Sequence, residues 1–237
     1  MERLLLVHGS VVGGRSTWAG QRGLAGRWEL DVLERPGFWP GPPVERVDFE
    51  PDAQLVADRL GRGAHLVGHS YGGVICLLAA ARRPEATRSL TVIEPPAFDV
   101  ARGDPAVDAF VAGGERWWRE GPTGDPEAFL RGFLGFVGSS AAPPSPLPPE
   151  LEQGARTLIA ERLPWEARIP LDELATAPFP TLVVSGDHHP AFDAVCDVLE
   201  QRLGAERLVL RGAGHAVQRA PGFDDALEAF LLRASAS

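Results

Sequence analysis

The 237-residue sequence contains no lysine and no asparagine. Without lysine there can be no Ser-Lys dyad, no Schiff base and no phosphate-binding P-loop lysine. Without asparagine a Cys-His-Asn arrangement is also excluded. Cysteine is scarce: Cys76 and Cys196 lie far apart and offer neither metal-ligand spacing nor a disulfide framework. No run approaches the ~18–20 apolar residues that a membrane span requires, and Leu4-Leu5-Leu6-Val7 is too short for a signal segment. Basic residues are outnumbered, with a formal net charge of −9, so nothing favours nucleic acid or an anionic membrane surface. A cytoplasmic location, a small-molecule substrate, no cofactor and no metal are expected, with the chain a monomer or homodimer. A serine nucleophile in this chain would need a histidine for activation, oriented by Asp or Glu.

What is present is an ordinary globular composition, 44% hydrophobic and 23% charged, in a chain long enough for one large domain with an inserted subdomain. The most informative stretch is Ala64-His65-Leu66-Val67-Gly68-His69-Ser70-Tyr71-Gly72-Gly73. A short apolar run enters Gly-x-Ser-x-Gly, and a small-residue helical pattern from Val74 to Ala81 follows at once. A strand turning this sharply into a helix strains the residue at its apex and lifts that side chain clear of the sheet. Ser70 occupies the apex and is the candidate nucleophile.

Short buried-strand runs alternate with helical patterns, which predicts a parallel α/β sheet. Strands are expected near Leu4–Val7, Glu29–Leu33, Leu66–Val67, Ser89–Ile93, Thr181–Ser185 and Arg207–Leu210. Helices are expected near Thr17–Ala25, Asp52–Leu60, Gly72–Arg82, Phe192–Leu203 and Phe223–Leu232. From about Phe98 to Ala177 the rhythm changes to helices alone: Ala106–Glu120, Pro126–Val137 and Pro149–Leu163. This segment carries Trp117, Trp118, Phe129, Phe133, Phe136 and Trp165. The pattern predicts a core formed by 1–97 and 178–237, with 98–177 inserted as a helical cap, its aromatics packed or facing a ligand.

His215 follows the last strand on a glycine-bearing loop, Gly212-Ala213-Gly214-His215. In an open α/β sheet the carboxyl ends of the strands share one rim, so this imidazole can reach the serine as general base. His8-Gly9-Ser10 follows the first strand on the same rim, where the backbone N–H groups of Ser10 and Tyr71 would face a developing oxyanion. Together His8-Gly9, Trp18, Gly68-His69-Ser70-Tyr71-Gly72 and Gly214-His215 resemble the α/β-hydrolase superfamily, from the first strand to the last helix. The resemblance implies an α/β-hydrolase fold with a parallel sheet of about six strands, Ser70 as nucleophile, His215 as base, and the amides of Ser10 and Tyr71 as oxyanion hole. It does not fix the substrate.

The acid departs from the family pattern. Members commonly carry Asp three residues after the Gly that ends the penultimate strand, and here that position, after Gly186, is His189. Three carboxylates could substitute. Glu94 ends an otherwise apolar strand, where a charge is costly unless paired or functional, and some superfamily members place their acid there. Asp187 directly follows Gly186, and Asp193 lies at the next helix start. Glu94 is the preferred candidate and Asp187 the alternative. His8 and His69 are expected to pack, and His188 and His189 to sit in a solvated loop, diverging too far to share a metal. The expected activity is hydrolysis of a small apolar or aromatic carboxylic ester or lactone through an acyl-enzyme. The alternatives are a C–C bond hydrolase or cofactor-free lyase on the same fold, or a pseudo-enzyme that binds ligand without turnover.

Overall fold

A computed structural model describes residues 1–139 and 141–236. Six strands, β1 (Glu2–Val7), β2 (Trp28–Leu33), β3 (Ala64–His69), β4 (Thr87–Ile93), β5 (Thr181–Ser185) and β6 (Glu206–Val209), form one sheet in the order β2-β1-β3-β4-β5-β6. Every pairing is parallel. Parallel strands covered on both faces read as continuous apolar runs, and β1 shows why. Leu4 and Leu6 join a cluster with Trp18, Phe223 and Phe230 on one face. Leu5 and Val7 join Phe49, Val56 and Ile75 on the other.

The helices are α1 (Gly14–Thr17), α2 (Phe49–Arg59), α3 (Tyr71–Arg82), α4 (Pro105–Glu120), α5 (Pro126–Phe136), α6 (Pro149–Ala160), α7 (Leu171–Ala175), α8 (Pro190–Leu203) and α9 (Phe223–Ala236). From Tyr71 to Ala80 every residue of α3 is buried, which its unbroken Val-Ile-Cys-Leu-Leu-Ala-Ala sequence allows. Between β4 and β5 the described residues form no strand, only α4 to α7 and short 3₁₀ turns. Asp104 and Asp125 cap α4 and α5, accepting from the N–H of Ala106 at 2.8 Å and of Ala128 at 3.1 Å. Phe129, Leu130, Ala155 and Leu158 give α5 and α6 a small core of their own.

Two helices differ from expectation. The predicted helix over Thr17–Ala25 is instead α1 followed by a 3₁₀ helix, Gly20–Gly26. Three glycines in seven residues each cost ~1 kcal/mol in an α-helix, and the α form yields. The predicted Pro149–Leu163 helix stops at Ala160, because Pro164 has no N–H for the Ala160 carbonyl and its ring would clash with that carbonyl in a continued helix. The freed chain makes an isolated parallel bridge, Val47 to Glu161, with the Arg162 N–H donating to the Val47 carbonyl at 2.8 Å.

That bridge turns Glu161 inward onto Arg35, a guanidinium with no solvent exposure. Arg35 donates from Nε to Asp52 Oδ2 at 2.8 Å, from one terminal nitrogen to the Gly9 carbonyl at 2.9 Å, and from the other to Glu161 Oε1 at 3.2 Å. Burial alone would lower its affinity for a proton, but the carboxylates of Glu161 and Asp52 raise it. One cation therefore ties the end of β2, helix α2, the loop after β1 and the end of α6 to one another. Removing one partner of such a buried network typically costs ~3–5 kcal/mol, because the charges left behind lose their compensation. Arg35→Met should lower unfolding free energy by about that amount in urea titration; a loss below about 1 kcal/mol would show that the network is not coupled to the fold.

The turn from β3 into α3 depends on the absence of side chains. A Cβ on Gly68 would stand 2.4 Å from the Gly72 carbonyl oxygen, and one on Gly72 would stand 2.5 Å from the carbonyl oxygens of Val7 and His8. Backbone cannot yield as a side chain tip can. Gly68→Ala should destabilise by roughly 1–3 kcal/mol or more, read as a lowered melting temperature. Wild-type stability in that variant would mean the elbow tolerates a wider separation of strand and helix.

Candidate active site

Ser70 joins β3 to α3 with φ 53° and ψ −127°, a backbone conformation that non-glycine residues rarely adopt. Such strain costs of order 1–3 kcal/mol and persists only where neighbours over-determine it. Here the Ser70 N–H donates to the Ile93 carbonyl at 2.8 Å, and the Gly73 N–H donates to the Ser70 carbonyl at 2.7 Å. The hydroxyl is thereby fixed at the head of α3. Tyr71, the first residue of that helix, has an N–H with no intrahelical acceptor.

Glu94 follows β4, also with positive φ (49°), and is fully buried. Its Oε1 accepts a hydrogen bond from the Gly186 N–H at 2.6 Å. Its Oε2 lies 3.5 Å from Nδ1 of His215 and 3.1 Å from Nδ1 of His188, neither aligned as a hydrogen bond. Burial pushes this carboxyl up, but the two imidazoles outweigh it and hold the group down at about 2. Glycine again makes the approach possible: a Cβ on Gly186 would meet the Gly214 carbonyl oxygen at 2.0 Å. The loops after β4, β5 and β6 therefore meet above three adjacent strand ends.

The other two carboxylates point elsewhere. Asp187 is exposed and paired with Arg211 at 2.8 Å, and Asp193 faces Arg207 at 3.8 Å. Among the described residues, Glu94 is the carboxylate that forms an ion pair with His215.

His188 corrects the expectation of a solvated loop. Its side chain is only 8% exposed, wedged against Glu94, with its ring 5.2 Å from Phe192 and 5.4 Å from His215. Burial lowers its proton affinity, yet the Glu94 carboxylate more than compensates and raises it. His189 is not a free loop residue either: its Nδ1 caps α8 by accepting from the Ala191 N–H at 3.1 Å. His69 is buried and donates from Nε2 to the His215 carbonyl at 2.9 Å; burial, with His215 alongside, holds it down at about 3. It thus props the His215 loop in neutral form. His8 lies wholly in the interior, with Nδ1 bonded to the Gly9 carbonyl at 2.8 Å and Nε2 accepting the Arg35 N–H at 3.1 Å.

Ser70 and His215 line the same two adjoining cavities, together with Ser10. The inner one, about 490 Å³ of empty volume, is walled by Phe98, Phe110, Trp118, Phe133, Phe136, Trp165 and Phe192. The outer one opens between Val11, Leu130, Leu134 and Arg219. Trp117 and Phe129 turn away from both and stack on each other at 5.4 Å between α4 and α5. The Ser10 hydroxyl donates to Glu161 Oε2, so the buried Arg35–Glu161 pair reaches the cavity wall. Neither that pair nor His188 was legible as part of a site, since Glu161 lies 126 residues from Arg35 and 151 from Ser10, and His188 is on a different strand's loop from Glu94.

Residues 4–230 match the family described as the alpha/beta hydrolase family. Over 231 residues, 89% of this chain, the sequence is 31% identical to polyketide synthase ThaQ of Burkholderia thailandensis, covering 11% of that protein. It is 29% identical over 161 residues, 68% of this chain, to a pimeloyl-[acyl-carrier protein] methyl ester esterase of Methylococcus capsulatus, covering 59% of it. The chain thus spans less than two thirds of the length of these curated relatives. Among solved structures, a bacterial membrane phospholipase A superposes with a TM-score of 0.70 at 26% identity, covering 100% of this chain and 80% of that one. Among the described residues no helix is long and apolar enough to cross a membrane. With the elbow, the all-parallel sheet and a match over nearly its whole length, the chain belongs to the alpha/beta hydrolase family.

Proposed function

We propose that this chain is a serine hydrolase that cleaves a small apolar or aromatic carboxylic ester, or a lactone, through an acyl-enzyme on Ser70. The observation that carries this reading is the pairing of the buried Glu94 carboxylate with His215, on a cavity that Ser70 also lines. His215 takes the Ser70 proton as the oxygen attacks the carbonyl carbon. Glu94, an anion throughout, keeps the proton of His215 on Nδ1 and stabilises the imidazolium that forms. The backbone amides of Ser10 and Tyr71 receive the oxyanion. Collapse of the tetrahedral intermediate expels the alcohol, protonated by His215, and a water activated by the same imidazole releases the acid.

Residues 98–177 act in this scheme as a cap, whose aromatic side chains supply most of the inner cavity wall. The largely aromatic lining of that cavity suits an apolar acyl arm. The methyl ester cleaved by the Methylococcus capsulatus relative, on a pimeloyl chain, supports a carboxylic ester with a linear acyl group. The wider outer cavity gives the alcohol a route out.

On p-nitrophenyl esters of graded acyl length, Ser70→Ala should abolish turnover while circular dichroism stays unchanged; retained hydrolysis would defeat the assignment. Glu94→Gln should lower kcat by about 10⁴, whereas Asp187→Asn should leave it within a few-fold. The reverse ranking would make Asp187 the acid.

A further inference from the structure

A serine hydrolase needs one imidazole on its acid, yet Glu94 has two. One ligand atom from each of Glu94, His188 and His215 lies within 4.8 Å of the other two. Among the described residues this is the one place where three such side chains converge. The Glu94–His188 and Glu94–His215 separations are 3.1 Å and 3.5 Å. A tetrahedral cation with bonds of ~2.0–2.2 Å to imidazole nitrogen and carboxylate oxygen sets its ligands about 3.3 Å apart. Two of the three edges already have that length.

Two further observations point to a ligand. Oε2 belongs to a side chain with no solvent exposure, and neither it nor the two facing nitrogens has a hydrogen bond. The second oxygen of the same carboxylate is held by the Gly186 N–H, the kind of outer support that orients a metal-binding carboxylate. Two imidazoles and one carboxylate oxygen suit a borderline transition-metal ion such as Zn²⁺, and not Mg²⁺ or Ca²⁺, which prefer all-oxygen shells.

We propose that Glu94, His188 and His215 form an inhibitory binding site for Zn²⁺ or a similar divalent transition-metal ion. The inference rests on the hydrolase reading for its consequence, though not for the binding itself. The cation takes the Nδ1 lone pair of His215, so the one remaining ring proton sits on Nε2. No lone pair is then available there for the Ser70 proton. The proton that Nδ1 carried in the active tautomer leaves to solvent as Nε2 takes one up, so the ring stays neutral. His188 supplies the third ligand, and without it only a weak two-ligand site is left.

The test uses the full chain, stripped with EDTA and assayed on p-nitrophenyl butyrate in a non-chelating buffer. Added ZnCl₂ should suppress turnover at least 10-fold at micromolar concentration, EDTA should restore it, and MgCl₂ should have no effect. In His188→Gln, scaled to its own metal-free rate, the zinc midpoint should rise by 10-fold or more, whereas His189→Gln should keep the wild-type midpoint. Calorimetric titration with ZnCl₂, which needs no activity, should show one equivalent bound in wild type and in Ser70→Ala, and lost in His188→Gln. The visible spectrum of the Co²⁺-loaded wild type should be that of a tetrahedral site, which needs no variant to fold. Equal zinc binding by wild type and His188→Gln, equal inhibition by Mg²⁺, or an octahedral Co²⁺ spectrum would overturn the proposal. A chain that binds zinc as described but hydrolyses no ester would instead count against the hydrolase reading alone.

Discussion

The candidate site depends on one buried carboxylate. Glu94 has no contact with solvent, and an isolated anion there would be prohibitively costly. It is held by a backbone N–H from the loop after β5, an imidazole from that same loop and an imidazole from the loop after β6. Those loops can meet because Gly186, having no Cβ, lets its backbone touch the Gly214 carbonyl. The anion draws three strand ends together and fixes which nitrogen of His215 faces it. Positive φ at both Ser70 and Glu94 shows that each apex is bent out of its strand direction to serve this meeting point.

A second buried charge organises the opposite flank. Arg35 lies over the Tyr71 ring at 4.7 Å, bonds the Gly9 carbonyl, and carries Glu161, which in turn accepts from the Ser10 hydroxyl. The loop bearing Ser10 is therefore bound to the returning end of α6. In the proposed mechanism this links the cap to one donor of the oxyanion hole, since any displacement of the α6 end moves a charge bonded to that loop. The two networks flank Ser70 from either side, one built on an anion and one on a cation.

The legible parts were those written in contiguous residues. The elbow was readable because strand, glycines, serine and small-residue helix fall within about twenty positions. The parallel strands followed from runs buried on both faces, though not their order in the sheet, and Glu94 stood out as a charge ending an apolar strand. His188 was misread because its placement depends on Glu94, which no local pattern connects to it. Adjacent His188 and His189 do diverge, one against Glu94 and the other onto the start of α8, but the carboxylate that His188 meets comes from another strand. Arg35 and Glu161, 126 residues apart, carried no signal at all. The early end of α6 was written in Pro164, and its consequence, the inward turn of Glu161, required the pairing with Val47.

The hydroxyl at Ser70 is activated only if the buried anion acts on it through His215. The rate of phosphonylation by a fluorophosphonate at neutral pH reads that activation directly, with the modified peptide identified by mass spectrometry. Labelling confined to Ser70 and slowed by about 10³-fold or more in Glu94→Gln is the expected result. Absence of labelling in the wild type, or an undiminished rate in Glu94→Gln, would contradict it.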